Sequence, residues 1–154
     1  MKKVEIKGII PPIVTPMNED ESVNEKELRN QVNRQIKGGI HGLFPFGTNG
    51  EGYILNEKEK EEVLSIVIDE TKGRVPVYAG TGCISTKDTI RQSQMAESLG
   101  ADVLSIITPS FAADPRMSCT TTIRQWRRQW ICQLFYITFR PEQATPLLRQ
   151  PLQN

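Results

Sequence analysis

The sequence is short of several residue types, and two of these shortages are confined to one part of the chain. Among its 154 residues, no lysine follows Lys87 and no glycine follows Gly100, whereas both tryptophans, Trp126 and Trp130, lie beyond those positions. His41 is the only histidine and lies at the start of a predicted strand. Neither a Ser/His/Asp triad nor a metal cluster can be built around it.

Cysteine and long apolar runs are also scarce. The three cysteines, Cys83, Cys119 and Cys132, are odd in number and lack metal-ligand spacing. They fit a reduced, cytoplasmic compartment. No apolar run is long enough to span a membrane, and the charged N-terminus lacks the apolar core of a signal peptide. We therefore expect a cytoplasmic protein without a membrane partner, a metal or a cofactor.

The distribution of charge divides the chain into two parts. Residues 1–113 hold 13 basic and 16 acidic residues, whereas residues 114–154 hold 6 arginines and 2 acidic residues. The net charge therefore changes from −3 to +4. Such a shift marks a boundary between two kinds of sequence.

The first part alternates strand and helix patterns. Helices are predicted from the N-cap Asn24 to Lys37, from Asn56 to Thr71, and from Ser85 to Leu99. Strands are predicted over residues 8–14, 40–46, 75–79 and 101–107. This βαβαβαβ order indicates a parallel sheet with right-handed crossovers. The periodicity alone does not separate a barrel from an open doubly wound sheet.

The stretch over residues 44–52 is the strongest candidate for a functional loop. A short apolar run stops in glycines that alternate with Thr48, Asn49 and Glu51. A helix start follows, with Asn56 as N-cap and Glu59 three residues later. Loops at the carboxyl ends of parallel strands carry the chemistry of α/β proteins, and glycines let amides approach a small anion. A plain strand–helix turn is the alternative.

Four segments occur together in the order and spacing of one known family: residues 8–16, 47–51, 78–82 and 101–104. Over residues 4–113 the chain resembles the pyruvate-dependent class I aldolases typified by dihydrodipicolinate synthase and N-acetylneuraminate lyase. The resemblance implies an α/β fold that is a partial TIM (β/α)8 barrel of about four βα units, because a whole barrel needs about 250 residues. Family members usually form homotetramers, whereas half a barrel exposes two sheet edges and invites aggregation.

The resemblance also assigns the loop a role. It implies that Gly47, Thr48 and Asn49 bind the carboxylate of pyruvate or another small 2-keto acid, with Thr48 assisting proton transfer. Asn49 replaces the second hydroxyl residue usual in dihydrodipicolinate synthases, so the identity of the 2-keto acid stays open. Phe111 stands where many members place a tyrosine that reaches a neighbouring subunit's site; the alternative is a packing residue. Glu51 is expected to brace the loop, and Thr81 to be structural.

Two catalytic groups of that family have no counterpart in this chain. The family holds pyruvate as a Schiff base on a lysine of the sixth strand, and a tyrosine of the fifth strand relays protons. No lysine follows Lys87, which falls in a helix and is expected to be a surface charge. Tyr136 lies in the second part of the chain. We therefore expect a lyase by family that is inactive as this chain.

The second part, residues 114–154, has no clear helix or strand period over 116–140. A basic, aromatic arm for nucleic acid is one interpretation, because arginine contacts phosphate and tryptophan stacks on bases. A membrane-surface helix is another, although Trp126 and Trp130 lie among arginines without a clean polar face. The third, which we favour, is a frameshifted tail that is disordered or poorly packed. Nucleic acid is thus not the expected partner.

The genetic code provides a test of the frameshift. Combining the last base of one codon with the first two of the next forces aspartate at the Trp130–Ile131 junction and leucine at the Phe135–Tyr136 junction. With allowed bases elsewhere, the shifted frame reads the family's next helix and its fifth strand, including the motif Y-N-I-P-x-R-T-G. The break would lie between residues 111 and 117.

Overall fold

A computed structural model of the chain describes residues 4–107 and the backbone of a strand at 133–137. Three helices occupy the predicted positions: α1 spans Glu25–Lys37, α2 spans Glu57–Thr71 and α3 spans Thr86–Leu99. In residues 4–107, no helix combines the length and the hydropathy needed to cross a membrane.

The helices begin where the capping residues predict. Asn56 accepts a hydrogen bond from the Glu59 amide at 3.1 Å, and the Glu59 carboxylate accepts one from the Asn56 amide at 2.7 Å. This reciprocal pair satisfies two amides that the first turn of α2 leaves without a partner. The side chains of Asn24 and Ser85 cap α1 and α3 by accepting from the amides of Glu27 and Asp88, without the reciprocal bond.

Three strands form one parallel sheet in the order β1-β2-β3. These are β1 at Tyr78–Gly80, β2 at Val103–Ile107 and β3 at Gln133–Ile137. In register, Tyr78 lies opposite Val103, and Val103 lies opposite Gln133. The sequence predicted no strand over residues 116–140, and β3 corrects that prediction because its backbone pairs with β2 along all five residues.

The first two predicted strands are extended segments joined by single bridges rather than continuous ladders. Pro12 bridges to Phe44 and Leu43 bridges to Val77, both in parallel. Prolines interrupt these segments at positions 11, 12 and 45, and proline has no amide to donate to a ladder. The prediction of regular strands over 8–14 and 40–46 was therefore wrong in its detail, although the chain path was right.

The spatial order of these segments follows the sequence order. The segment around Pro12 is next to that around Phe44, which is followed by β1, β2 and β3. A doubly wound sheet would contain a point where the strand order reverses, whereas a (β/α)8 barrel does not. The described residues have no such reversal, so their topology favours the barrel.

The core lies between this sheet and the helices. Leu28, Val32, Leu64, Val67 and Leu104 are all 0–1% exposed and belong to one apolar cluster. This burial supplies the main stabilising free energy and fixes the orientation of the strand ends.

Polar contacts join α1 and α2 at the surface. Arg29 forms salt bridges with Glu25, Asp69 and Glu70 at 2.6–2.9 Å. The pKa of Glu70 is lowered, mainly by a hydrogen bond from Asn33 and to a smaller extent by one from Arg29. The two helices therefore pack against each other at a fixed position over the sheet.

Candidate functional site

The loop at 44–52 forms a short 3-10 turn at the carboxyl end of the second extended segment. The turn covers Thr48–Gly50, with Gly47 extended before it. The amide of Gly50 donates to the Gly47 carbonyl at 3.0 Å, and that of Glu51 donates to the Thr48 carbonyl at 3.1 Å. Within residues 4–107, no acceptor contacts the amides of Thr48 and Asn49. Two donors at the start of the turn are thus available to an anion.

The side chains of the predicted binding residues have the exposure that a ligand requires. Thr48 and Asn49 are exposed, whereas Gly47 is buried beneath them. A methyl group on Gly47 would lie 3.3 Å from both the Phe44 ring and Pro12. The hydroxyl and the amide side chain therefore stand on a closely packed base, next to the two available backbone donors.

The turn is entered and left through two residues in the left-handed conformation. Phe46 has a φ of 66° and Glu51 a φ of 52°. A positive φ is uncommon for a bulky side chain, and such strain concentrates at functional loops. The Glu51 carbonyl also accepts from the Ile54 amide at 2.9 Å, so its backbone takes part in the turn, while the bracing role expected of its side chain stays a prediction.

The first loop of the chain holds the turn from the other side. The Thr15 hydroxyl donates to the Gly50 carbonyl at 2.8 Å. A methyl group at Gly50 would lie only 2.5 Å from the Ile13 carbonyl oxygen, so this position has room for glycine alone. The sequence analysis missed Thr15 as a site residue, because nothing in its local pattern shows a contact 35 residues away.

The third loop and the end of β2 meet the same edge of the sheet. The Gly80 amide donates to the Pro45 carbonyl at 3.1 Å, and the Thr81 amide donates to the Ser105 carbonyl at 3.0 Å. The buried Thr81 hydroxyl accepts from Ser93 at 2.9 Å, in keeping with its predicted structural role. The first three strand-end loops and the end of β2 therefore form one connected edge.

The nucleophilic side chains near this edge are held in their neutral forms. The pKa of the Cys83 thiol lies above its ordinary value because burial disfavours the thiolate, an effect that Lys60 partly opposes. Burial likewise raises the pKa of Tyr78, and the charge of Asp102 adds to that effect. A neutral thiol is a poor nucleophile, so the raised pKa disfavours nucleophilic chemistry at Cys83.

The remaining candidates lie elsewhere. Lys87 is exposed in the first turn of α3, as expected of a surface charge. His41 is at the opposite end of its segment from Thr48, where its Nδ1 accepts from the Ile9 amide at 3.1 Å. Phe111 lies outside the described residues. Tyr136 belongs to β3, of which only the backbone is described.

The fold and this edge define a parallel α/β protein of the barrel type, with polar loops at the carboxyl ends of its strands. The model of the dihydrodipicolinate synthetase family matches residues 5–118. The chain belongs to that family.

Similar proteins agree with this assignment. The 4-hydroxy-tetrahydrodipicolinate synthase of Methanopyrus kandleri is 40% identical over 113 residues, which are 73% of this chain and 38% of that protein. Among solved structures, the chloride-inhibited dihydrodipicolinate synthase of Acinetobacter baumannii in complex with pyruvate is 30% identical with a TM-score of 0.81. YagE, a prophage protein of that family from E. coli K12, also in complex with pyruvate, is 29% identical with a TM-score of 0.79.

The match covers most of this chain but less than half of each relative. The Acinetobacter structure matches 86% of this chain and 45% of its own length, and YagE matches 84% and 43%. These structural neighbours are (β/α)8 barrels. The chain therefore spans about the first half of the barrel proteins that it resembles.

Proposed function

We propose that this chain carries the carboxylate-binding loop of a pyruvate-dependent lyase of the dihydrodipicolinate synthase type. The observation that carries the proposal is the 3-10 turn at Thr48–Gly50, with two available amides and two exposed polar side chains at a strand-end edge. Two relatives whose structures contain pyruvate support a 2-keto acid as the ligand.

Thr48 and Asn49 have different parts in the proposed site. The Thr48 hydroxyl both donates and accepts, so it can bind a carboxylate and assist a proton relay. The Asn49 amide group can hydrogen-bond a carboxylate but cannot pass on a proton in the same way. The loop therefore suits pyruvate or another small 2-keto acid, and Thr48 is the only one of the two with a catalytic part.

Binding at this loop is measurable without turnover. Pyruvate titrated into the isotopically labelled chain should shift the amide resonances of Thr48 and Asn49 at lower concentrations than it shifts those of α1. Lactate, which keeps the carboxylate but lacks the ketone, is the matched probe for simple anion binding. Shifts that appear only in helices remote from the loop would remove the basis of the proposal.

We further propose that this chain forms no Schiff base with pyruvate. No lysine follows Lys87 in the sequence, and Lys87 is exposed on α3. An exposed lysine lacks the apolar pocket or neighbouring cation that activates a Schiff-base lysine. Borohydride reduction in the presence of pyruvate should leave the mass of this chain unchanged, while the same treatment of the Methanopyrus synthase serves as the positive control. A covalent mass gain on this chain would contradict the proposal.

We also propose that residues 114–154, as given, are the product of a frameshift, and that another frame of the same codons encodes the family's sequence. With the allowed bases, that other frame at codons 133–137 encodes the strand residues that precede the family's I-P-x-R-T-G motif. The aspartate forced at the Trp130–Ile131 junction and the leucine forced at the Phe135–Tyr136 junction fall where the family has them, which supports the proposal. The nucleotide sequence around codons 111–117 tests it. An uninterrupted frame through this region, together with tail peptides from the native source, would overturn it.

A further inference from the structure

Among the described residues, the first extended segment is paired along one edge and has no partner along the other. On the paired side, the Ile13 amide donates to the Phe44 carbonyl at 3.1 Å, and the Pro11 carbonyl accepts from the Phe44 amide at 3.2 Å. The Ile9 carbonyl accepts from the His41 amide at 2.7 Å. All three pairing residues of this segment have odd numbers, as expected because successive backbone groups of a strand point to opposite sides.

The even-numbered residues therefore present their backbone groups to the opposite edge. In the part of the chain that the structure describes, no backbone hydrogen bond involves Ile10, Pro12 or Val14. Two amides and three carbonyls are thus available there, since proline has no amide. The Ile9 and Val14 side chains are 66% and 46% exposed beside this edge. Free backbone groups flanked by apolar side chains are a template for another strand.

The topology of the described segments indicates how many strands would close the barrel between the first segment and β3. Five parallel segments run in sequence order from the segment around Pro12 to β3. A (β/α)8 barrel closes when its eighth strand pairs with its first, so the gap corresponds to three further strands. The match to 45% of the Acinetobacter barrel at a TM-score of 0.81 agrees with a missing portion of this kind.

We propose that the free edge at Ile10–Val14 binds, in trans, a polypeptide with the last three βα units of a barrel of this family. The proposal rests on the family and barrel assignment, not on pyruvate binding. The last strand of that partner would run parallel to the first segment and pair with the Ile10 and Val14 amides. A second copy of this chain fits less well, because two sets of five segments would give ten strands rather than eight.

The test combines the full 154-residue chain with the fragment of the Methanopyrus kandleri synthase that follows its fifth strand. Size-exclusion chromatography with light scattering should show a one-to-one complex. Val14→Pro removes an edge amide and should weaken the complex about tenfold, the loss expected for one hydrogen bond. Val14→Thr keeps the amide and the branched shape, so it should bind as the unmodified chain does. Equal binding by both variants, or no complex with the fragment, would overturn the proposal.

Hydrogen exchange gives a second readout that needs no variant. The Ile13 amide donates to Phe44 and should be protected with and without the fragment. The Val14 amide should exchange rapidly in the free chain and become protected only in the complex. If a complex forms while Val14 stays unprotected, the contact lies elsewhere and the proposal fails. Pyruvate is left out of both measurements, so a failure of the proposed ligand site would not affect their result.

Discussion

Thr15 and Gly50 connect the first two strand-end loops through a single side-chain hydrogen bond. The Thr15 hydroxyl donates to the Gly50 carbonyl at 2.8 Å, and the Gly50 amide in turn donates to the Gly47 carbonyl at 3.0 Å. The turn that presents Thr48 and Asn49 is thus held by a residue outside it. A ligand loop held from two sides loses less conformational entropy on binding than a free one.

Removing this hydroxyl should loosen the turn. Thr15→Val keeps the shape of the side chain but leaves the Gly50 carbonyl without its donor, and should lower the free energy of unfolding by about 1 kcal/mol. Urea denaturation measures this loss, and pyruvate-induced shifts at Thr48 should weaken with it. Thr15→Ser retains the hydroxyl and is the control. If Thr15→Val and Thr15→Ser behave alike, the hydrogen bond has no role in holding the turn.

Substitutions at Asn49 should separate ligand binding from stability. Its side chain is exposed, so Asn49→Ala should change the free energy of unfolding by less than about 0.5 kcal/mol. The same variant should weaken the pyruvate titration, because one donor to the carboxylate is lost. Asn49→Ser restores a hydrogen-bonding group, and its response should recover in part. An unaltered titration with Asn49→Ala would exclude Asn49 from the site.

The sequence predicted those structural features that depend on residues close together in the chain. The helix ends follow from residues a few positions apart, such as Asn56 with Glu59, and they were confirmed. The extended segments were misjudged because each proline removes a ladder donor, which apolar periodicity does not register. Thr15 and Ser93 were missed because their partners, Gly50 and Thr81, lie 35 and 12 residues away. Contacts of that range need the fold.

The raised pKa of Cys83 predicts a pH dependence for both its reactivity and the stability of the fold. The folded chain binds the thiol proton more tightly than the unfolded chain does, because burial disfavours the thiolate. This contribution to stability is therefore fully present below the ordinary thiol pKa of 9.0 and falls as the pH rises above it.

Alkylation with iodoacetamide measures the Cys83 thiol directly. In a background where Cys119 and Cys132 are replaced by serine, the rate should stay low at neutral pH and rise toward high pH. Unfolding in urea should restore the rate of an ordinary thiol. A fast reaction of the folded chain at pH 7 would show that the thiolate is not disfavoured.

Replacing Glu51 or Glu21 by glycine should raise the free energy of unfolding. Both glutamates have a left-handed backbone, with φ values of 52° and 66° respectively. That conformation costs about 1 kcal/mol for a residue with a Cβ, and glycine adopts it freely. Urea denaturation should therefore show Glu51→Gly and Glu21→Gly to be more stable than the unmodified chain. Glu19→Gly is the matched control, since Glu19 is an exposed loop residue without a positive φ and should only lose stability. Because the Glu51 backbone takes part in the turn, Glu51→Gly should also keep the pyruvate-induced shifts at Thr48; their loss would give the Glu51 carboxylate a direct part in the site.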